Sequence, residues 1–266
     1  LEDIVRKYAQ SLIVASLVLA GCQSASVPKA TGAAAPAEAP KPAAVASAPA
    51  PAPAPKADKL CALTFDDGPS ATQTPLVLDR LEKYHVAATF FLVGQNVNSS
   101  TKPVIDRMVK YGCEIGNHSW GYSGLNGASA EMVKDSFEKT SAAIKEYSGT
   151  EPKFFRAPNL AASTTMYDTI GLPFVSGVLG MDWAGCNTDA AARAQNVLNG
   201  MSDGAIILLH DVQPDPHPTP EALDILIPEL QKQGYEFVTL SELFKRRGTD
   251  PNSQKYQMWT YVKLPL

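Results

Sequence analysis

From Leu60 to about Arg247 the apolar positions follow two alternating rhythms. Short, nearly continuous apolar runs read as buried strands: LCALTF (Leu60–Phe65), ATFFLV (Ala88–Val93), CEIGNH (Cys113–His118), FFRAP (Phe154–Pro158), FVSGV (Phe174–Val178), AIILLH (Ala205–His210) and EFVTL (Glu236–Leu240). Between them, apolar residues recur every three or four positions, the spacing of a helix with one buried face. TPLVLDRLEKY (Thr74–Tyr84) reads as a helix with Thr74 as N-cap and Pro75 at the first helical position. KPVIDRMVKYG (Lys102–Gly112), the long stretch Ser129–Gly149, a weak pattern around Thr164–Ile170, DAAARAQNVLNGM (Asp189–Met201) and TPEALDILIPELQKQG (Thr219–Gly234) are the other helices, and SELF (Ser241–Phe244) closes the region. Strand followed by helix, repeated about seven times, implies parallel strands joined by right-handed crossovers, in a barrel or a doubly wound sheet. No G-x-G-x-x-G follows the first strand, so a dinucleotide fold has no support. Residues after Gly248 read as a tail, with Trp259 and Tyr261 as stray aromatics in it.

The region before Leu60 has a different character. Arg6 and Lys7 precede the apolar run SLIVASLVLA (Ser11–Ala20), which ends in Gly21 and Cys22. A basic start, a short apolar stretch and small residues form a signal segment. The apolar run is half the ~20 residues that a membrane-spanning helix needs. L-A-G-C resembles a bacterial lipoprotein signal, which implies cleavage before Cys22 and lipid on its sulfur; a plain secretory signal is the alternative. Residues 23–59 are almost entirely Ala, Pro, Ser and Lys, as in APAPAPKA (Ala50–Ala57). Such a stretch has too little apolar bulk to offset the entropy of ordering, and its prolines favour an extended tether. The expected organisation is therefore a signal segment at 1–22, a disordered linker at 23–59, one domain at 60–248 and a tail at 249–266. The implied location is outside the cytoplasm, held to a bacterial membrane through Cys22.

The formal charge of −4 gives no sign of nucleic-acid binding, and nothing implies a protein partner. Cys61, Cys113 and Cys186 are odd in number and lack C-x-x-C spacing, so they signal neither a disulfide framework nor a zinc knuckle; which pair would form a single bridge is left open. The informative polar residues stand at the carboxyl ends of the strands: Asp66-Asp67, His118, Arg156, Asp182 and His210-Asp211. Any one of them alone reads as a turn or structural residue. Together they fall where barrel strands converge on one face. One carboxylate there can bind a divalent cation while its neighbour acts as general base on a water. An arginine can hold that base ionised, and a histidine oriented by its own aspartate can protonate a leaving group. This is the inventory of metal-assisted hydrolysis of an ester or amide.

TFDDGP (Thr64–Pro69), NHSW (Asn117–Trp120), FRAP (Phe155–Pro158), DW (Asp182–Trp183) and LLHD (Leu208–Asp211) resemble, in order, the five motifs of the polysaccharide deacetylases, the NodB-like domains of carbohydrate esterase family 4. The resemblance covers Leu60–Arg247 and implies a distorted (β/α) barrel of about seven parallel strands. It implies Asp66 as catalytic base, Asp67 and His118 as ligands of one divalent metal ion (Zn2+ or Co2+), and Arg156 as the tether of the base. His210 would be the general acid with Asp182 as its partner. Trp183 and Leu208 would wall an acetyl pocket. The implied partner is an acetylated polysaccharide.

Two positions depart from the family pattern. A second metal histidine is usual four residues after the first, where this chain has Tyr122. A phenol titrating near 10 is a poor ligand, so water is expected to take that place and metal binding to be weaker. Asn159 stands where an aromatic residue is usual; the oxyanion role there belongs to a backbone N–H and is expected to survive. HSWGYSGLN resembles the acetylxylan-esterase branch, which favours removal of O-acetyl groups from xylan. N-deacetylation of peptidoglycan or chitooligosaccharides is the first alternative, and an inactive glycan-binding domain the second.

Overall fold

A computed structural model describes residues 59–184, 189–213 and 217–264. The expected signal segment with Cys22, the expected linker up to residue 58, and Cys186 lie outside these residues. Among the described residues no helix is long and apolar enough to cross a membrane.

The apolar runs form strands because they alternate between two buried environments. In β1 (Lys59–Asp66), Cys61, Leu63 and Phe65 join the cluster under the helices, while Leu60 and Ala62 join a second cluster inside the barrel. β6 (Ala205–His210) repeats this, with Ala205, Ile207 and Leu209 outward and Ile206 inward. The period of two therefore directs Asp66, Leu208 and His210 to the interior. β2 (Thr89–Leu92) and β3 (Glu114–Asn117) lie on one side of β1, and β6 and β5 (Val178–Leu179) on the other, giving the parallel order β3-β2-β1-β6-β5. Parallel bridges from Asn117 to Phe155, and from Phe155 to β4 (Phe174–Val175), extend the wall beyond β3. β7 (Tyr235–Phe237) pairs with the amino end of β1. The result is the expected distorted (β/α) barrel.

Two strands are shorter than the sequence suggests. FFRAP keeps pairing only at Phe155, because Pro158 opens a tight turn in which Asn159 and Leu160 take left-handed backbone angles. FVSGV divides into β4 and β5. Gly177 lies against β6 so closely that a Cβ there would stand 2.7 Å from the Cβ of Leu208, and the Ser176 N–H donates instead to Trp259 O at 2.7 Å. Among the described residues seven helices connect the strands: α1 (Thr74–Tyr84), α2 (Lys102–Lys110), α3 (Ala130–Ser148), α4 (Thr164–Ile170), α5 (Ala190–Gly200), α6 (Thr219–Lys232) and α7 (Leu240–Arg247).

The reading of residues 249–266 as a tail is corrected. β8 (Met258–Trp259) pairs in parallel with β4, Tyr261 bridges to Ala205, and Trp259 and Val262 are buried with Leu60, Ile206 and Phe244. Trp259 is a core residue, and its indole N–H donates to Pro251 O at 2.9 Å. Cys61 and Cys113 are buried and free.

Candidate active site

The β1–β6 register sets Asp66 beside His210 at the carboxyl ends of neighbouring strands. Asp66 is 3% exposed and Arg156 is fully buried. Arg156 Nη1 donates to Asp66 Oδ1 at 2.7 Å, Nη2 to Ser176 O at 2.7 Å and Nε to Val175 O at 3.3 Å, while the guanidinium lies 4.2 Å from the Phe91 ring centroid. Burial pulls the arginine pKa down and Asp66 opposes that pull, but a guanidinium remains charged. One Asp66 oxygen is thus committed to Arg156, and Oδ2 is left toward the cavity.

On the other side His210 Nδ1 donates to Asp182 Oδ1 at 2.9 Å. Asp182 Oδ2 accepts from the His210 main-chain N–H and from the Thr219 hydroxyl, each at 2.7 Å. Burial pushes the Asp182 carboxyl up, yet these bonds and the His210 charge outweigh it and the net shift is downward. Burial opposes charge on His210, but the bond to Asp182 and the negative charges around it hold its pKa up to about 9. His210 is therefore protonated at neutral pH, with Nε2 turned to the cavity, 4.0 Å from Asp67 Oδ2.

His118 follows β3, and its Nδ1–H donates to Arg156 O at 2.8 Å. That bond selects the tautomer whose Nε2 lone pair faces Asp67 Oδ1, 3.6 Å away. Two ligands on one tetrahedral ion, each at about 2.1 Å, stand about 3.4 Å apart. Asp67 and His118 therefore fit a shared divalent cation. Burial, with Asp66 and Asp182 adding to it, raises the Asp67 pKa against the pull of the two histidines, so the pair of carboxylates favours a cation nearby. Among the described residues no group of three or more His, Cys, Asp or Glu is arranged to hold a metal. Tyr122 is half exposed, its hydroxyl accepts from Asn96 Nδ2 at 2.8 Å, and it lies 3.5 Å from the main-chain oxygen of Asp67. Burial raises its phenol pKa further, which makes it a still poorer ligand.

Asp66, Asp67, His118, Tyr122 and His210 line a cavity of about 350 Å³ together with Leu208, Trp183, Asn159 and Leu160. Leu208 is 2% exposed, and Trp183 stands edge-on to His210 with ring centroids 5.2 Å apart. Leu160 and Ala161 N–H close the Pro158 turn onto Ala157 O and Pro158 O, and the Asn159 N–H is not used in that closure. Five non-glycine residues with left-handed φ stand on these loops: Asp67 (77°), Ser119 (67°), Asn159 (56°), Leu160 (53°) and Met181 (58°). Such angles cost roughly 1–3 kcal/mol each and persist only where surrounding contacts impose them.

A family model for polysaccharide deacetylase matches residues 54–172. A family 4 acetyl xylan esterase from Clostridium thermocellum, solved in complex with a cobalt ion, is 54% identical and superposes with a TM-score of 0.74, covering 78% of this chain and 100% of that one. The chain belongs to the polysaccharide deacetylase family. This family comprises hydrolases of acetylated polysaccharides. A bifunctional xylanase/deacetylase of Pseudobutyrivibrio xylanivorans is 48% identical over 205 residues, which are 77% of this chain and 33% of that protein. A peptidoglycan-N-acetylglucosamine deacetylase of Listeria monocytogenes is 38% identical over 190 residues, 71% of this chain and 40% of that protein. The chain thus spans well under half the length of these two curated relatives.

All nine expected residues of the domain meet at this one deacetylase cavity or directly behind it. The sequence reading missed Asn96, Leu160 and Thr219. Asn96 lies just beyond the carboxyl end of β2, so the strand-end rule applied to every strand would have found it. Thr74 reads in the sequence as a helix cap, and Thr219 stands before a proline in the same way. The cap of α1 is in fact Gln73, without a side-chain bond, and each threonine hydroxyl goes to a strand-end carboxylate, Thr219 to Asp182 and Thr74 to Asp211.

Proposed function

We propose that this polysaccharide deacetylase is a metal-dependent esterase that removes O-acetyl groups, with acetylated xylan as substrate. The observation that carries the reading is that two prepared groups stand side by side in one cavity. Asp66 is fixed by Arg156, and His210 is fixed by Asp182, whose charge favours its protonated form. A divalent cation held by Asp67 and His118, Zn2+ or Co2+, would supply Lewis acidity to the attacking water and the acetyl carbonyl. Asp66 takes the proton of that water on Oδ2. The Asn159 N–H faces the developing oxyanion, and Leu208 and Trp183 enclose the methyl group. His210 gives its Nε2 proton to the departing sugar oxygen while Asp182 holds the ring.

The xylan preference is supported by the identities with the acetyl xylan esterase and the xylanase/deacetylase. An ester is also easier to cleave than an amide, which suits a site with only two protein ligands. N-deacetylation of a peptidoglycan glycan is the second reading, supported by the Listeria relative. Retention of the complete acid–base set argues against an inactive binding domain. Acetate release from acetylated xylan and from N-acetylglucosamine oligomers, each with a chelator and with Co2+ restored, tests all three. Chelator-sensitive release from xylan is expected; release from the oligomers alone would transfer the assignment to N-deacetylation, and none from either would leave the binding domain. We further propose export and lipid attachment at Cys22, tested by palmitate labelling that Cys22→Ser abolishes; labelling that persists in the variant would refute it.

A further inference from the structure

Asp211 ends the LLHD stretch, and the chemistry proposed above leaves it unused. It is completely buried, one of its oxygens, Oδ1, has no hydrogen-bond partner among the described residues, and a side chain that only filled space there would be apolar. Its main-chain N–H donates to Asp66 O at 3.2 Å. Its Oδ2 accepts from the Thr74 hydroxyl, whose oxygen accepts in turn from the Ser70 N–H at 2.8 Å. The carboxyl lies flat against Gly68. A Cβ on that glycine would stand 2.7 Å from Oδ1 and 2.8 Å from Cγ, and closer still to Oδ2. The glycine of TFDDGP and the aspartate of LLHD thus occupy one shared space. Beside them Gln73 and Gln213 exchange two hydrogen bonds of 2.8 Å each.

The other anchors of this turn come from elsewhere. Asp67 O accepts from Asn96 Nδ2 at 3.0 Å and Gly68 O from the Val93 N–H at 2.8 Å. Three successive carbonyls, Asp66 to Gly68, are thus held by two segments, the first by Asp211 and the other two by the loop after β2. The Asp211 segment is the one that continues from the strand bearing His210.

We propose that Asp211 is a positioning residue: by packing on Gly68 and accepting from Thr74, it fixes where the Asp66 and Asp67 carboxylates stand relative to His210. This rests on the reading that Asp66, Asp67 and His210 perform the hydrolysis. The test uses full-length protein stripped with a chelator, and the variants Asp211→Ala, Asp211→Asn, Gly68→Ala and the Gly68→Ala/Asp211→Ala pair. Measured are Co2+ affinity by calorimetry, kcat and KM on 4-nitrophenyl acetate, and amide exchange at Gly68 and Ser70. Asp211→Ala is expected to weaken Co2+ binding and lower kcat by about tenfold each, with KM held within about twofold. Asp211→Asn, which keeps the shape and an acceptor for Thr74, restores most of both. Gly68→Ala loses as much as Asp211→Ala, and the pair loses little more than either alone. Unchanged affinity and exchange in Asp211→Ala, simple additivity in the pair, or an Asp211→Asn variant as impaired as the alanine would each overturn the proposal. If Asp211→Ala fails to fold, Thr74→Val tests the same link under the same criteria. Faster exchange without loss of binding or turnover would instead show that the carboxylates are not the reacting groups, and with that both readings go.

Discussion

Arg156→Met tests the part of the site that the fold itself depends on. Methionine keeps the apolar stem against Phe91 and removes the charge and its donors. What remains is a carboxylate 3% exposed, whose nearest other cation-capable group is His118 Nε2 at 3.8 Å, and two buried carbonyls, Ser176 O and Val175 O, without the guanidinium. Breaking a buried pair by deleting one partner costs roughly 3–5 kcal/mol, because the surviving charge is left uncompensated. For a domain of this size each kcal/mol moves Tm by about 2–4 °C, so Tm is expected to fall by roughly 6–20 °C. The assay is scanning calorimetry of chelator-treated protein, so that no metal contributes, on Arg156→Met, Asp66→Asn and the double variant. The double variant leaves no unpaired charge at this pair and is expected to recover at least half of the loss. A single-variant loss below about 1 kcal/mol, or a cycle in which the two losses add, would refute the argument that the pair is buried and exclusive.

Further expectations follow from particular side chains. Tyr122→His is expected to tighten Co2+ binding by about tenfold or more, since a neutral imidazole replaces a phenol beside Asp67; unchanged affinity by calorimetry would mean that the position does not reach the ion. Trp259→Ala should cost about 3–5 kcal/mol in urea unfolding, because the residue is part of the core beneath the barrel; a loss under about 1 kcal/mol would return it to a tail. Burial pushes the Cys113 thiol up to about 11 and that of Cys61 further still, so in a Cys22→Ser/Cys186→Ser background the native protein should show no fast reaction with a thiol reagent at pH 8, and two thiols after denaturation.

Much of this was legible in the sequence because two simple patterns carry it. The alternation within LCALTF and AIILLH fixes which side chains look inward, and a parallel sheet brings every strand's carboxyl end to the same face. Asp66, His118, Arg156, Asp182 and His210 follow from those two facts. The missed features are of another kind. Thr74 and Thr219 stand before prolines at helix starts, which is also how a capping residue looks, and only the neighbouring strand shows where their hydroxyls go. Trp259 lies beyond a glycine-terminated helix, amid polar and proline residues with no periodicity, so no local signal says that it returns to the core. The break in FVSGV depends on how near β6 comes to Gly177, a distance that no window of sequence contains.

The return of Met258–Val262 to the barrel wall has a bearing on how the chain acquires its shape. β1, β2 and β3 can assemble from neighbouring segments as they are synthesised, but β4 and β6 receive their lower partners from Met258–Val262, which follow every other strand of the domain. Sealing the seam therefore joins β8 to strands far from it in sequence, and such distant pairings are slow to form. A chain halted or cut before Met258 keeps the entire catalytic set in its sequence yet leaves Leu60, Val175 and Ile206 without cover. Loss of Met258–Val262 would thus be felt first as aggregation and degradation, far from any atom of the reaction.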